Sequence, residues 1–173
     1  MKQTVLAAAA ATLMAATPAI ADGDWTGFYA GIGVGYLDVD TSVGLNNDDR
    51  GYGVHVGYRY DFGQWVVGGE LEYDRADVIL APGLTVDNVG RLKGSFGYDL
   101  GTAMLYAAIG AAEVSVGGLG DDTGEFYGIG VAYQLSPRAE MSAEVLEHDF
   151  DNIGGAGVGA DATSVNFRVS LRF

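Results

Sequence analysis

SVNFRVSLRF (residues 164–173) reads as one β-strand. Phe173, Leu171, Val169, Phe167 and Val165 fall at every second position, and Arg172, Ser170, Arg168 and Asn166 fill the places between. A two-residue period sends successive side chains to opposite faces of an extended chain, whereas a helix repeats every three to four residues. One face is wholly apolar and the other carries charge. The apolar face runs to Phe173 with no polar residues after it, while the ends of water-soluble domains tend to fray. An aromatic in that place is expected to sit at a membrane interface.

The same period recurs upstream. In GFYAGIGVGY (27–36), Phe28, Ala30, Ile32, Val34 and Tyr36 oppose Tyr29 and three glycines. In GYGVHVGYRY (51–60), Tyr52, Val54, Val56, Tyr58 and Tyr60 oppose Gly53, His55, Gly57 and Arg59. WVVGGELEYD (65–74) sets Trp65, Val67, Leu71 and Tyr73 against Val66, Gly68, Glu70, Glu72 and Asp74. GRLKGSFGY (90–98) sets Leu92, Phe96 and Tyr98 against Arg91, Lys93, Ser95 and Gly97. AMLYAAIGAAE (103–113), FYGIGVAYQL (126–135) and AEMSAEVLEH (139–148) continue the pattern, which gives eight strands in all. Short turns at 61–64, 99–101 and 136–137 alternate with longer stretches near 38–50, 75–87, 113–124 and 148–161, which are expected to be loops. Even strand number with short and long connections in turn describes an all-β, eight-stranded, antiparallel, up-and-down transmembrane β-barrel. Pro18, Pro82 and Pro137 all avoid the strand interiors, as a closed ladder requires.

Residue size decides which face looks outward. Eight strands enclose just enough room for side chains. Tyr, Val, Ile and Phe at every second position would overfill that space, whereas the glycine-rich face leaves room for charged neighbours. The apolar face is therefore expected to meet lipid. Its aromatics cluster at the strand ends. Phe28, Tyr58, Tyr60, Trp65, Phe96, Tyr98 and Tyr133 lie near the short turns, and Tyr36, Tyr52, Tyr73 and Tyr127 lie near the long connections. Two such rings are what interfacial girdles look like. Ten residues rising about 3.3 Å each at a tilt near 45° span roughly 23 Å, close to the ~25 Å apolar band of an outer-membrane barrel.

Composition fits this reading. The chain has 173 residues and a formal net charge of −14, so nucleic acid is not expected as a partner. It has no Cys, so disulfides do not hold it together. Residues 1–21, with Lys2, an apolar run from Val5 to Ala16 and then Ala19-Ile20-Ala21, have the layout of a cleaved signal peptide. That leaves 22–173 as the barrel domain, exported through the inner membrane to the outer membrane of a Gram-negative cell.

The chain resembles the small OmpA-like and opacity-type outer-membrane β-barrel proteins, often called the porin family. The resemblance lies in DWTGFYAGIGVGY (24–36), in MSAEVLEHDF (141–150) with Glu144, Asp149 and Phe150 matching, and in NFRVSLRF (166–173). Val145 departs from the aromatic usual at that position. The resemblance implies that Phe173, Leu171, Val169 and Phe167 form the signal read by the outer-membrane assembly machinery. It also implies a structural, adhesin-like or surface-antigen role. A peptidoglycan-binding domain like that of full-length OmpA proteins is not expected, since the alternating pattern runs to Phe173.

Inward parity collects both signs of charge: Arg59, Glu70, Glu72, Arg91, Lys93, Glu144, Arg168 and Arg172. Strands three and four adjoin in a meander, as do seven and eight. Glu70 and Glu72 should therefore meet Arg91 and Lys93, and Glu144 should meet Arg168, in a paired network that plugs the lumen. Other motifs carry less. GIGVGY and GIGVAY lack the G-x-G-x-x-G spacing of a nucleotide loop and lie within strands. Residues 38–49 and 117–125 resemble an EF-hand loop and a calcium nonapeptide, but Val43 and Asp49 replace essential EF-hand residues and the nonapeptide is single. His148 reads as a loop-edge residue and His55 as a lumen residue, without the His and Ser spacing of a lipid A deacylase. The expected function is therefore non-enzymatic, with no cofactor and no metal, exercised through four acidic extracellular loops toward a ligand the sequence does not name. Outer-membrane lipid and lipopolysaccharide are the expected surroundings. A narrow pore for small solutes is the alternative reading, followed by a lipid A-modifying enzyme.

Overall fold

A computed structural model describes residues 23–41, 46–81, 84–116, 120–150 and 160–173; the expected signal peptide lies outside them. The strands are β1 Gly27–Thr41, β2 Asn46–Asp61, β3 Trp65–Ala81, β4 Leu84–Asp99, β5 Ala103–Val116, β6 Gly120–Ser136, β7 Ala139–Phe150 and β8 Ala160–Arg172. Each pairs antiparallel with the next, and β8 pairs with β1 to close the barrel. Closure leaves no unpaired strand edge, which hydrocarbon would penalise. The seam runs from Tyr29 opposite Arg172 to Thr41 opposite Ala160, and the Phe173 N–H donates to the Phe28 carbonyl at 2.9 Å.

The alternation fixes the radial order. Ile32, Ile109 and Ile129 point outward, with 68%, 68% and 70% of their surface exposed. The aromatics of both girdles are exposed too. Phe28 meets Tyr58 edge-on at 4.8 Å, and Trp65 stacks on Phe96 at 5.0 Å. Inside, Glu70, Glu72, Arg91, Lys93, Glu144 and Arg168 are buried. Two interior tyrosines require glycine across the sheet. A Cβ on Gly57 would stand 2.4 Å from the Tyr29 ring, and one on Gly130 would stand 2.3 Å from the Tyr106 ring. The interior also holds apolar residues. Trp25, Val66 and Met104 fill the short-turn end, and Phe126 and Leu146 fill the half toward the long connections.

The strands are longer than their apolar bands. Most of the stretches expected as loops, 38–50, 75–87 and 113–124, continue the ladder, as do 148–150 and 160–161, so the connections reduce to 42–45, 82–83, 117–119 and 151–159. Asp38 pairs with Asp48, Asp122 with Val114, and Asp149 with Asp161. Backbone pairing with a neighbour overrides the loop-like composition of these segments. The acids expected on four loops thus belong largely to protruding strand ends.

Candidate functional site: the lumen and its cap

The central layer of the lumen is ionic. The Lys93 ammonium lies 2.5 Å from Glu70, 2.6 Å from Glu72 and 3.0 Å from Glu144. The Arg168 guanidinium contacts the same three carboxylates, at 2.8 Å from Glu70, 2.5 Å from Glu72 and in a close pair with Glu144. Two phenols complete the shell: Tyr29 donates to Glu70 at 2.7 Å and Tyr106 donates to Glu144 at 3.0 Å. Toward the long connections, Arg91 pairs with Glu72 at 3.2 Å and with Asp74. Toward the short turns, Arg59 pairs with Glu140 at 2.7 Å, and Arg172 lies 3.7 Å from the other oxygen of that carboxylate. These contacts join five acids to five bases, so the interior is balanced although the chain is strongly acidic. Apolar side chains bound this layer on both sides, which limits water and raises the cost of leaving any member unpaired.

The expected neighbours Glu70, Glu72, Arg91 and Lys93 lie opposite each other in register, Glu70 against Lys93 and Glu72 against Arg91. Arg168 reaches further than an adjacent-strand argument gives, touching carboxylates on β3 and β7 together. Glu140, Tyr29, Tyr106, Asp74 and Asn166 also line the network, with Asn166 donating to Glu144 at 3.4 Å. The parity that selected Glu144 also selects Glu140, four residues earlier on β7. His148 is corrected: it is buried on β7, 4% exposed, accepts from Arg91 at 3.3 Å and packs on Phe126, because β7 extends past it to Phe150. His55 Nε2 lies 2.8 Å from Ser170 Oγ, the spacing of a base and a hydroxyl nucleophile. Both side chains are buried inside the wall. Above the ionic layer, a cavity of about 40 Å³ is lined by Gly33, Gly35, Asp74, Arg91, Asn166 and Arg168, room for roughly two or three waters. Among the described residues no cluster of acids and histidines has the form of a metal site.

The short-turn end is closed by residues that lie outside the alternating runs. Gly23–Thr26 fold beneath the barrel and insert Trp25, 1% exposed, into its mouth. The indole N–H donates to Asp99 at 3.0 Å, and the Trp25 backbone N–H donates to Asp61 at 3.1 Å. Asp61 ends β2 and Asp99 ends β4, so one residue ties two turns together. Arg59 and Arg172 lie over the indole at 5.8 and 5.6 Å, and Arg172 also donates to the Asp24 carbonyl. The Asp24 carboxylate accepts the Thr26 N–H at 2.7 Å. That bond and the Thr26 hydroxyl hold the carboxyl below its ordinary value of 3.8. Trp25 precedes the first alternating run, so periodicity cannot flag it.

Comparison with known proteins agrees with this geometry. Ail, the attachment invasion locus protein of Yersinia pestis, superposes with a TM-score of 0.57 at 20% identity, over 86% of this chain and 99% of its own. Neisserial surface protein A superposes with a TM-score of 0.56 at 16% identity, over 86% of this chain and 98% of its own. Ail has also been crystallised with the heparin analogue sucrose octasulfate, and that structure superposes at 0.57, with 19% identity, over 85% of this chain and 99% of its own. No curated protein sequence matches the chain. Residues 7–173 match the family described as outer membrane protein beta-barrel domain, and with a closed eight-stranded antiparallel barrel beneath that match, the chain belongs to this outer-membrane family.

Proposed function

We propose that this barrel is a non-enzymatic component of the outer membrane, with a structural and surface-interaction role exercised by the acidic strand ends and connections opposite the short turns. The observation that carries the reading is the ionic layer. Lys93 and Arg168 each hold three carboxylates across the lumen, which fills the space a solute would need. The barrel then acts through the surfaces it displays rather than through a passage. Ail, a barrel of the same fold, bears a name that describes attachment, and this supports the reading by analogy of architecture alone. The His55 and Ser170 pair is taken as lumen packing, because neither side chain reaches the surface.

The proposal includes export with removal of residues 1–21, insertion by the assembly machinery through the outward Phe167, Val169, Leu171 and Phe173, and lodging among lipopolysaccharide. The test combines protease shaving of intact cells with planar-bilayer recording. Cleavage confined to 42–45, 82–83, 117–119 and 151–159, with little or no steady conductance from purified protein, is the expected result. Stable, large channels from the monomer would replace this reading with the narrow-pore alternative.

A further inference from the structure

The register fixes which outward residues share a height in the membrane. Followed from partner to partner once round the wall, the row that leaves β3 at Trp65 returns to β3 at Arg75, ten residues higher. That shear over eight strands tilts each strand by roughly 40° and lifts an in-register partner by about 3 Å per strand from β3 toward β8. Tyr73 pairs with Gly90, and Gly90 pairs with Glu113. Glu113 on β5 thus stands about 6 Å above Tyr73, and Arg75, two residues further up β3, stands about 5 Å above it. Both charged side chains are exposed on the outer wall, apart from the lumenal ion pairs. They are level at the upper edge of the apolar band and roughly 11–12 Å apart at Cα round the wall. Between them and just below lie Tyr73, half exposed, and Gly90, where an added Cβ would meet nothing within 4 Å.

We propose that this wall, centred on β3 and β4, is the contact face of a homodimer within the membrane, with a second copy of the chain as its occupant. Barrels inserted by one route share one orientation, so a two-fold axis between copies runs along the membrane normal and matches residues of equal height. An axis midway between Arg75 and Glu113 sets the Arg75 of each copy against the Glu113 of the other, which makes two equal ion pairs. Beneath them, the Tyr73 ring of one copy faces the hollow over Gly90 of the other. Lower still, Leu71 of one copy meets Val56, its exposed register partner on β2, in the other. Lipid is as apolar as these side chains, so apolar area alone does not drive association in a bilayer; close packing and polar pairs do. An acyl chain would fill the hollow and match neither charge, whereas a like copy does both. The proposal rests on membership of the outer-membrane family and not on the surface-interaction role.

The test reconstitutes the full folded barrel in phosphatidylcholine vesicles at high lipid dilution. A donor or acceptor dye is carried on Gln64→Cys, exposed in a short turn, and energy transfer is read. The unaltered wall should give transfer above the level of random encounter. Arg75→Glu or Glu113→Arg alone sets like charges together twice and should weaken association roughly tenfold or more. Gly90→Trp should weaken it too, since the ring points into open space on the folded barrel and obstructs only a second copy. Mixing Arg75→Glu protein with Glu113→Arg protein should restore transfer, because both ion pairs re-form across the mixed dimer. Heat-modifiable migration checks that each variant is folded. Random-level transfer from the unaltered wall would overturn the proposal. So would single variants that associate as strongly as the parent, or a mixture that stays at the random level, because the charges would then not meet across an interface.

Discussion

Arg168 and Glu70 meet at 2.8 Å across the lumen, although β8 and β3 are not paired strands. Their contact closes a loop of charge that backbone hydrogen bonds do not close. It makes the interior a cross-brace between opposite walls. Removing one member leaves the others buried with too few partners.

The first prediction concerns that brace. Glu144→Ala leaves Lys93 and Arg168 with two carboxylates each instead of three, an excess of buried positive charge, and should cost up to about 3–5 kcal/mol of unfolding free energy, less where lumen water reaches them. Arg168→Ala should lower stability as well. The double variant should lose less than the sum of the two, since each single change already breaks their shared pair. Urea unfolding in detergent micelles, followed by tryptophan fluorescence, measures all three, and strict additivity would contradict the network.

Trp25 supplies the second. Its side chain is fully buried in the mouth, so Trp25→Ala should cost about 3 kcal/mol in the same assay. Trp25→Phe keeps most of the ring but loses the bond to Asp99, and should cost about 1 kcal/mol from that bond plus a small packing loss. A null effect of Trp25→Ala would mean that the cap adds nothing to the barrel below it.

A third prediction separates stability from biogenesis. The Phe173 ring is 81% exposed, and its backbone N–H bond to Phe28 does not need the side chain. Phe173→Ser should therefore change stability in detergent by no more than about 0.5 kcal/mol. In cells the same change should lower the amount of heat-modifiable barrel in the outer membrane. Normal cellular levels would remove Phe173 from the proposed assembly signal.

Divalent cations give the fourth. Glu125 lies opposite Asp149, and Asp149 lies opposite Asp161, so three exposed acids form a row across β6, β7 and β8. Like charges directly across a ladder repel. Mg²⁺ or Ca²⁺ should raise the melting temperature in lipopolysaccharide-containing membranes at fixed ionic strength. Asp149→Asn should shrink that rise. A melting temperature indifferent to divalents would count against it.

The barrel was legible because one signal is repeated eight times. Alternation names each strand, sets its inward face and, in a meander, puts Glu70 opposite Lys93 without further information. What lay beyond reach were contacts between strands that are not neighbours. Arg168 with Glu70, and Arg59 with Glu140, depend on how far each strand is staggered around the barrel, which no local window encodes. The ends of the strands read as loops in the sequence because Asp and Gly favour turns in isolation, while a neighbour already in the ladder offers every backbone group a partner. His148 reads as a loop-edge residue for the same reason, since the composition changes there while β7 continues to Phe150.

The interior also constrains the order of assembly. Strands β1–β4 alone would contain Glu70, Glu72, Arg91 and Lys93, yet Glu144 arrives only with β7 and Arg168 only with β8. Until the last strand is in place, a curved partial sheet presents carboxylates and an ammonium toward a cavity with no far wall. Such a fragment is solvated at a water interface and penalised within the bilayer. The charge balance of the interior is therefore complete only once β8 has brought Arg168 and closed on β1.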